Sequence, residues 1–185
     1  SDVVACLRAL PTAALVGGAG YYWSPATSTP TLPRRPSDVL VGRDVRPGIP
    51  VLAGTTRDEG TLFTAAFFDR AGTPITDAAF GGLLAAATGA RAAEAGAAYR
   101  TADRSPGRAW SDVVTDRAYA CVGLGNYRAL AERGPVYAYE LAEQAGPSPF
   151  AALPPDLAGG SPHGAEMPYL FDLVPPLRDL LHSAY

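Results

Sequence analysis

The sequence predicts an α/β fold, on three observations. Runs with helical spacing alternate with short apolar runs of strand character. Two of these short runs, Ile49 to Gly54 and Val136 to Leu141, are bounded by turn residues, as strands usually are. Each is followed, in a loop, by groups able to move a proton. In open α/β sheets, sites gather in that way at the carboxyl ends of strands. Two parallel strands do not make a stable sheet, so the remaining strands are expected on residues outside this sequence.

In chain order, Asp2 to Leu10 has the spacing of a short helix, with Val3, Cys6, Leu7 and Leu10 on one face. Pro11 stands where such a helix stops. Residues 17–37 are rich in Gly, Pro, Ser and Thr, with Tyr21, Tyr22 and Trp23 embedded, and predict a long irregular segment. Ile49 to Gly54 suits a strand covered on both faces, as in a parallel sheet. Thr61 to Arg70 predicts a helix, and Thr76 to Arg100 one or two Ala-rich helices. Residues 101–108 are a polar break. Ala109 to Arg133 gives the strongest helical pattern, with Val114, Cys121, Val122 and Leu130 near one stripe. Gly134-Pro135 ends it. Val136 to Leu141, VYAYEL, combines β-branched and aromatic residues and predicts a second strand. A Pro/Gly-rich loop over 145–162 leads to His163. Met167 to Phe171 and Leu177 to His182 predict short helical pieces.

A length of 185 residues fits one domain with a sizeable core. The net charge of −3 offers no electrostatic basis for binding nucleic acid. No apolar run approaches the roughly 20 residues that span a bilayer. Two cysteines, Cys6 and Cys121, are too few for a disulfide scaffold. No CxxC or HxxxH spacing marks a zinc site.

Two segments carry chemistry. They are Gly54-Thr55-Thr56-Arg57-Asp58-Glu59-Gly60 and Ser161-Pro162-His163-Gly164-Ala165-Glu166. A serine hydroxyl needs a base to take its proton during attack, and imidazole titrates in the right range. A carboxylate on the other ring nitrogen fixes the tautomer and stabilises the imidazolium as it forms. An acid followed along the chain by a histidine is the order found in α/β-hydrolases. The interval between Glu59 and His163 leaves room for a helical excursion between two strands. No Gly-x-Ser-x-Gly occurs in the sequence. Plainer readings stand beside this one. Asp58 and Glu59 also suit a helix N-terminus, where the macrodipole favours acids. His163 also suits an exposed loop, and His182 is an alternative base. His163 and Glu166 lack a third ligand for a metal. Gly159-Gly160-Ser161-Pro162-His163 approaches the nucleophile motif. Its fifth position is His, however, and Pro162 lacks the N–H that an oxyanion hole requires after the nucleophile.

Taken together, these segments resemble the type-B carboxylesterases, the family that includes the cholinesterases. Val4-Ala5-Cys6-Leu7-Arg8 resembles the family's "ACLR" helix, and Ile49 to Gly60 resembles the strand and loop that carry the triad acid. In that pattern the acid precedes Gly, which selects Glu59 over Asp58. Trp110 to Cys121 followed by Val136-Tyr137-Ala138-Tyr139-Glu140 resembles the long helix and "VYxY" strand. Pro162 to Phe171 resembles the "HGxE…FxF" segment bearing the triad base, here His163. The chain departs from the family where "VDG" usually stands, reading Ala26-Thr27-Ser28-Thr29-Pro30.

The resemblance implies a partial α/β-hydrolase fold: the last strands of the central sheet with surrounding helices. Residues 1–185 would then be part of one carboxylesterase domain. Its nucleophile elbow and oxyanion loop would lie upstream, and its C-terminal helices downstream. The implied activity is hydrolysis of a small-molecule carboxylic ester through an acyl-enzyme. Glu59 would orient His163, and the serine would lie outside this chain, so that the isolated chain would be inactive. Tyr169, Leu170 and Phe171 would help to wall a substrate pocket. No cofactor or metal is implied. Cys6 and Cys121 resemble half-cystines of secreted cholinesterases and equally suit free thiols in a bacterial relative. The rival class is a non-catalytic relative that uses the same fold for protein recognition.

Overall fold

The computed structural model describes residues 2–16, 25–100, 103–144 and 152–172. The chain divides into two units, Ser1–Val39 and Leu40–Tyr185. The predicted helix at 177–182, His182, and the aromatic run Tyr21-Tyr22-Trp23 lie outside the described residues.

In the first unit, α1 (Val3–Ala9) is started by Asp2, whose carboxylate accepts hydrogen bonds from the N–H groups of Val4 and Ala5 at 3.0 and 3.2 Å. Its predicted apolar face is not buried: Val3, Leu7 and Leu10 are all exposed. A short helix, α2 (Thr12–Val16), follows Pro11. Residues 25–35 have no regular structure, in keeping with their Pro, Ser and Thr content. The predicted irregular segment ends early, because α3 (Pro36–Val41) begins with a proline already set for a first helical turn.

The second unit is built on a two-stranded parallel sheet. β1 (Val51–Thr56) pairs with β2 (Val136–Leu141), in register from Val51 opposite Val136 to Thr56 opposite Leu141. β2 has the predicted limits. β1 lies two residues later than predicted and is not covered on both faces, since Leu52 is 74% exposed. Only two strands pair among the described residues.

The crossover from β1 to β2 is helical. It runs through α4 (Glu59–Thr64), a π-helical stretch (Ala65–Asp69), α5 (Asp77–Thr88), α6 (Ala92–Tyr99), α7 (Pro106–Val114), a second π-helical stretch (Thr115–Ala120) and α8 (Cys121–Ala131). Thr76 and Ser105 cap α5 and α7 by accepting the N–H groups of Ala79 and Arg108. A core of Ile75, Phe80, Leu84, Ala109 and Val113 forms where α5 and α7 meet. The stripe predicted on the 109–133 helix is not the buried one. Ala109, Ser111, Val113 and Thr115 are buried, whereas Cys121 and Val122 are exposed. Its first half packs against α4, α5 and α6 and is therefore enclosed on several sides.

The contact between α4 and α7 fixes the start of α4. Gly60 lies so close to α7 that a Cβ there would stand 2.0 Å from the Ser111 carbonyl oxygen. The Gly60 N–H donates to Thr115 Oγ1 at 2.9 Å, and Ser111 Oγ bonds Thr64 Oγ1 at 2.8 Å. The described residues 142–144 and 152–166 contain no helix or strand, and the short α9 (Met167–Leu170) follows them. Among the described residues, no helix is long and apolar enough to cross a membrane.

Candidate active site

The turn after β1 sends two neighbouring carboxylates in different directions. Asp58 stands just before α4 and Glu59 is its first residue. Both are buried, at 6% and 4% exposure, so neither acts simply as a solvated acid at a helix end. Asp58 makes no capping bond to α4. Its carboxylate instead pairs with the Arg108 guanidinium of α7 and accepts the Ser161 N–H at 2.8 Å.

Glu59 turns back toward the strand it has just left. Its Oε1 accepts the Thr56 N–H at 2.7 Å, which fixes the carboxylate plane. Its Oε2 lies 2.5 Å from His163 Nδ1. Two side chains far apart in sequence thus converge. Nδ1 carries the proton when a carboxylate faces it, which leaves Nε2 as the lone-pair nitrogen of the neutral ring.

His163 is held by its loop. The backbone of Asp58 pairs with Pro162 in a single parallel bridge, and the Asp58 N–H donates to the Ser161 carbonyl at 2.9 Å. Gly164 follows at φ +79°, in the left-handed region that glycine enters without strain. The His163 ring packs against Phe63 of α4 and Tyr119 of the second π-helical stretch, with centroid separations of 5.0 and 5.4 Å. Phe63 and Tyr119 stack on each other at 5.8 Å. A π-helical turn displaces side chains from α-helical spacing, and such turns are frequent at functional sites. The side chain of His163 remains 43% exposed, so the ring has one open side.

The electrostatics follow from these contacts. The His163 pKa is raised above its ordinary 6.5, chiefly by the hydrogen bond to Glu59. Burial opposes the shift, while the charges of Glu59 and Glu166 add to it. Glu166 Oε2 and Thr56 Oγ1 are buried without a hydrogen-bond partner.

Of the residues singled out from the sequence, the structure brings Glu59 and His163 together and gives Asp58 a different set of contacts. Ser161 is 1% exposed, and its hydroxyl donates to the Glu143 carbonyl at 2.5 Å, so it presents no free hydroxyl. Tyr169, Leu170 and Phe171 are each more than half exposed. Cys6 and Cys121 are free thiols. Among the described residues, no three His, Cys, Asp or Glu side chains gather as a metal would require. Sequence reasoning missed Arg108, Phe63 and Tyr119. The aromatic pair carried no legible signal because the π-helical stretches break the 3.6-residue spacing. Arg108 was legible only as one of several arginines.

No family model and no curated protein matches the chain. Among solved structures, a thermophilic pNB esterase is similar, with a TM-score of 0.45 and 22% identity. The likeness covers 83% of this chain and 31% of that one, so the chain spans about a third of that structure's length.

Proposed function

We propose that this chain supplies the acid and the base of a serine carboxylic-ester hydrolase, and that its 185 residues are part of one larger α/β-hydrolase domain. The reading rests on one observation above all, the 2.5 Å contact between Glu59 Oε2 and His163 Nδ1. Glu59 fixes the tautomer, and His163 Nε2 is the base. A serine hydroxyl from outside these residues gives its proton to Nε2 as its oxygen attacks the ester carbonyl. The tetrahedral intermediate collapses to an acyl-enzyme, and the proton on Nε2 goes to the departing alkoxide. Water then repeats the sequence through the same nitrogen and releases the acid. During each attack Glu59 stabilises the imidazolium across the short hydrogen bond. Phe63 and Tyr119 keep bulk water from that side of the ring, which strengthens the interaction. The substrate is a small carboxylic ester, and these steps use protein groups and water alone.

The test is phosphorylation of the full-length protein by an organophosphate probe. We expect His163→Ala to slow labelling by roughly 10²–10⁴-fold, the usual worth of a positioned general base. Equal labelling of the variant and the wild type would remove His163 from the mechanism.

A further inference from the structure

Contacts that involve neither Glu59 nor His163 also tie the acid and base loops together, and Asp58 makes them. Its backbone N–H donates to the Ser161 carbonyl at 2.9 Å, and its Oδ2 accepts the Ser161 N–H at 2.8 Å. One residue therefore satisfies both backbone groups of the residue two places before the base. Its Oδ1 is held by Arg108, which anchors the assembly to α7. Arg108 also faces Asp112 one turn on, at 3.6 Å. The base loop is shaped to admit this carboxylate: a Cβ on Gly160 would stand 2.4 Å from Asp58 Oδ2. Gly160 does not have a left-handed φ, so close approach is what requires glycine there.

These contacts are costly to leave unmade. Asp58 is 6% exposed and Ser161 1% exposed, so neither the carboxylate nor the Ser161 N–H can turn to water without local opening. Glu59 is fixed independently through the Thr56 N–H. The pair distance accordingly depends on where the loop places His163, and Asp58 bonds both backbone groups of Ser161 in that loop.

We propose that Asp58 is the positioning residue of this site, an Arg108-anchored clamp that holds the loop 160–163 so that the His163 ring meets Glu59. The inference rests on the reading of Glu59 and His163 as orienter and base. Its readout is the geometry of the pair, so it stands or falls separately from ester hydrolysis.

The experiment follows the His163 ring by ¹⁵N-histidine NMR titration of the full chain, assigned with His163→Asn. Glu59→Gln serves as the reference for a broken pair. Wild type titrates above 6.5. In Asp58→Ala we expect the midpoint to fall toward 6.5, most of the way to the Glu59→Gln value, in protein that is still folded at the temperature of measurement. Gly160→Ala, which pushes on the same carboxylate, gives the same fall. In the Asp58→Ala background it adds little, because the two nearest atoms, Asp58 Oδ2 and Cγ, are gone and the Asp58 Cβ stands 3.2 Å from the new methyl. Asp58→Asn keeps an acceptor for the Ser161 N–H and restores most of the shift. If Asp58→Ala does not fold, Gly160→Ala and Asp58→Asn decide between the outcomes. A purely structural Asp58 would lower the melting temperature and leave the midpoint of the folded protein unchanged. That result, or additive effects of Asp58→Ala and Gly160→Ala, would overturn the proposal.

Discussion

Gly60→Ala is the most demanding test of how the helices set the site. Its added Cβ would meet the Ser111 carbonyl oxygen at 2.0 Å, with the carbonyl carbon at 2.8 Å and Cα at 2.9 Å. All three are backbone atoms of a buried helix, so no side chain can swing aside. Ordinary contact begins at 3.4 Å, which leaves α4 and α7 about 1.4 Å too close. Overpacking of this kind costs about 1–3 kcal/mol. Separation also stretches the buried 2.9 Å bond from the Gly60 N–H to Thr115 Oγ1, and an orphaned buried donor costs about 1–3 kcal/mol more. We therefore expect a loss of about 2–6 kcal/mol in urea or thermal unfolding. Glu59 precedes Gly60 directly, so the same displacement acts on the pair. A shift of even half the shortfall, added to 2.5 Å, takes Glu59 Oε2 beyond a strong hydrogen bond to His163 Nδ1. The His163 midpoint should fall together with stability. A variant within 0.5 kcal/mol of wild type (about the scatter of neutral surface changes) and with an unchanged midpoint would refute the claim that this close approach positions the acid.

Two further outcomes follow from the same geometry. Leu84 is 3% exposed in the core between α5 and α7, and Leu84→Ala should cost about 2–5 kcal/mol in chemical denaturation without moving the His163 midpoint. For pH, the folded-state pKa of His163 is raised above 6.5, so the folded protein binds the extra proton more tightly than the unfolded chain. This contribution to stability is fully present below about pH 6.5 and is lost as pH rises through the raised value. The difference in urea midpoint between wild type and His163→Gln should shrink over that interval, and a difference that grew with pH would contradict the assigned pair.

Much of the scaffold was legible because a few residues leave little choice. Val136 to Leu141 combines β-branched Val136 with Tyr137 and Tyr139 at alternate positions, between a Gly-Pro stop and a polar loop, and β2 has those limits. β1 was harder. Its second half, Gly54-Thr55-Thr56, has no large apolar side chain, yet it pairs with Tyr139, Glu140 and Leu141, so register with its partner decides its end. The face of the long helix was misread because Thr115–Ala120 is π-helical, and a stripe drawn at a constant 3.6 spacing loses phase across it. The small residues Ala109 and Ser111 are buried there because three other helices press on that segment. At the site, spacing alone left Asp58 and Glu59 equivalent. No local signal says that Arg108, fifty positions away, will pair with one of them.

That division between adjacent carboxylates is the clearest case of environment assigning chemistry. Consecutive residues at the start of a helix point about 100° apart, so Asp58 and Glu59 cannot share a partner. Asp58 faces α7 and the loop before His163, where a guanidinium and a backbone N–H await an acceptor. Glu59 has one more methylene and faces back along β1, where the Thr56 N–H takes one oxygen and leaves the other for the imidazole. The longer side chain reaches the ring while the shorter one holds the loop that carries it. Both are buried, and each carboxylate has two partners that satisfy it. The hydrogen bond to Glu59 can therefore raise the His163 pKa without leaving a buried charge uncompensated, because the second carboxylate has already been neutralised by Arg108.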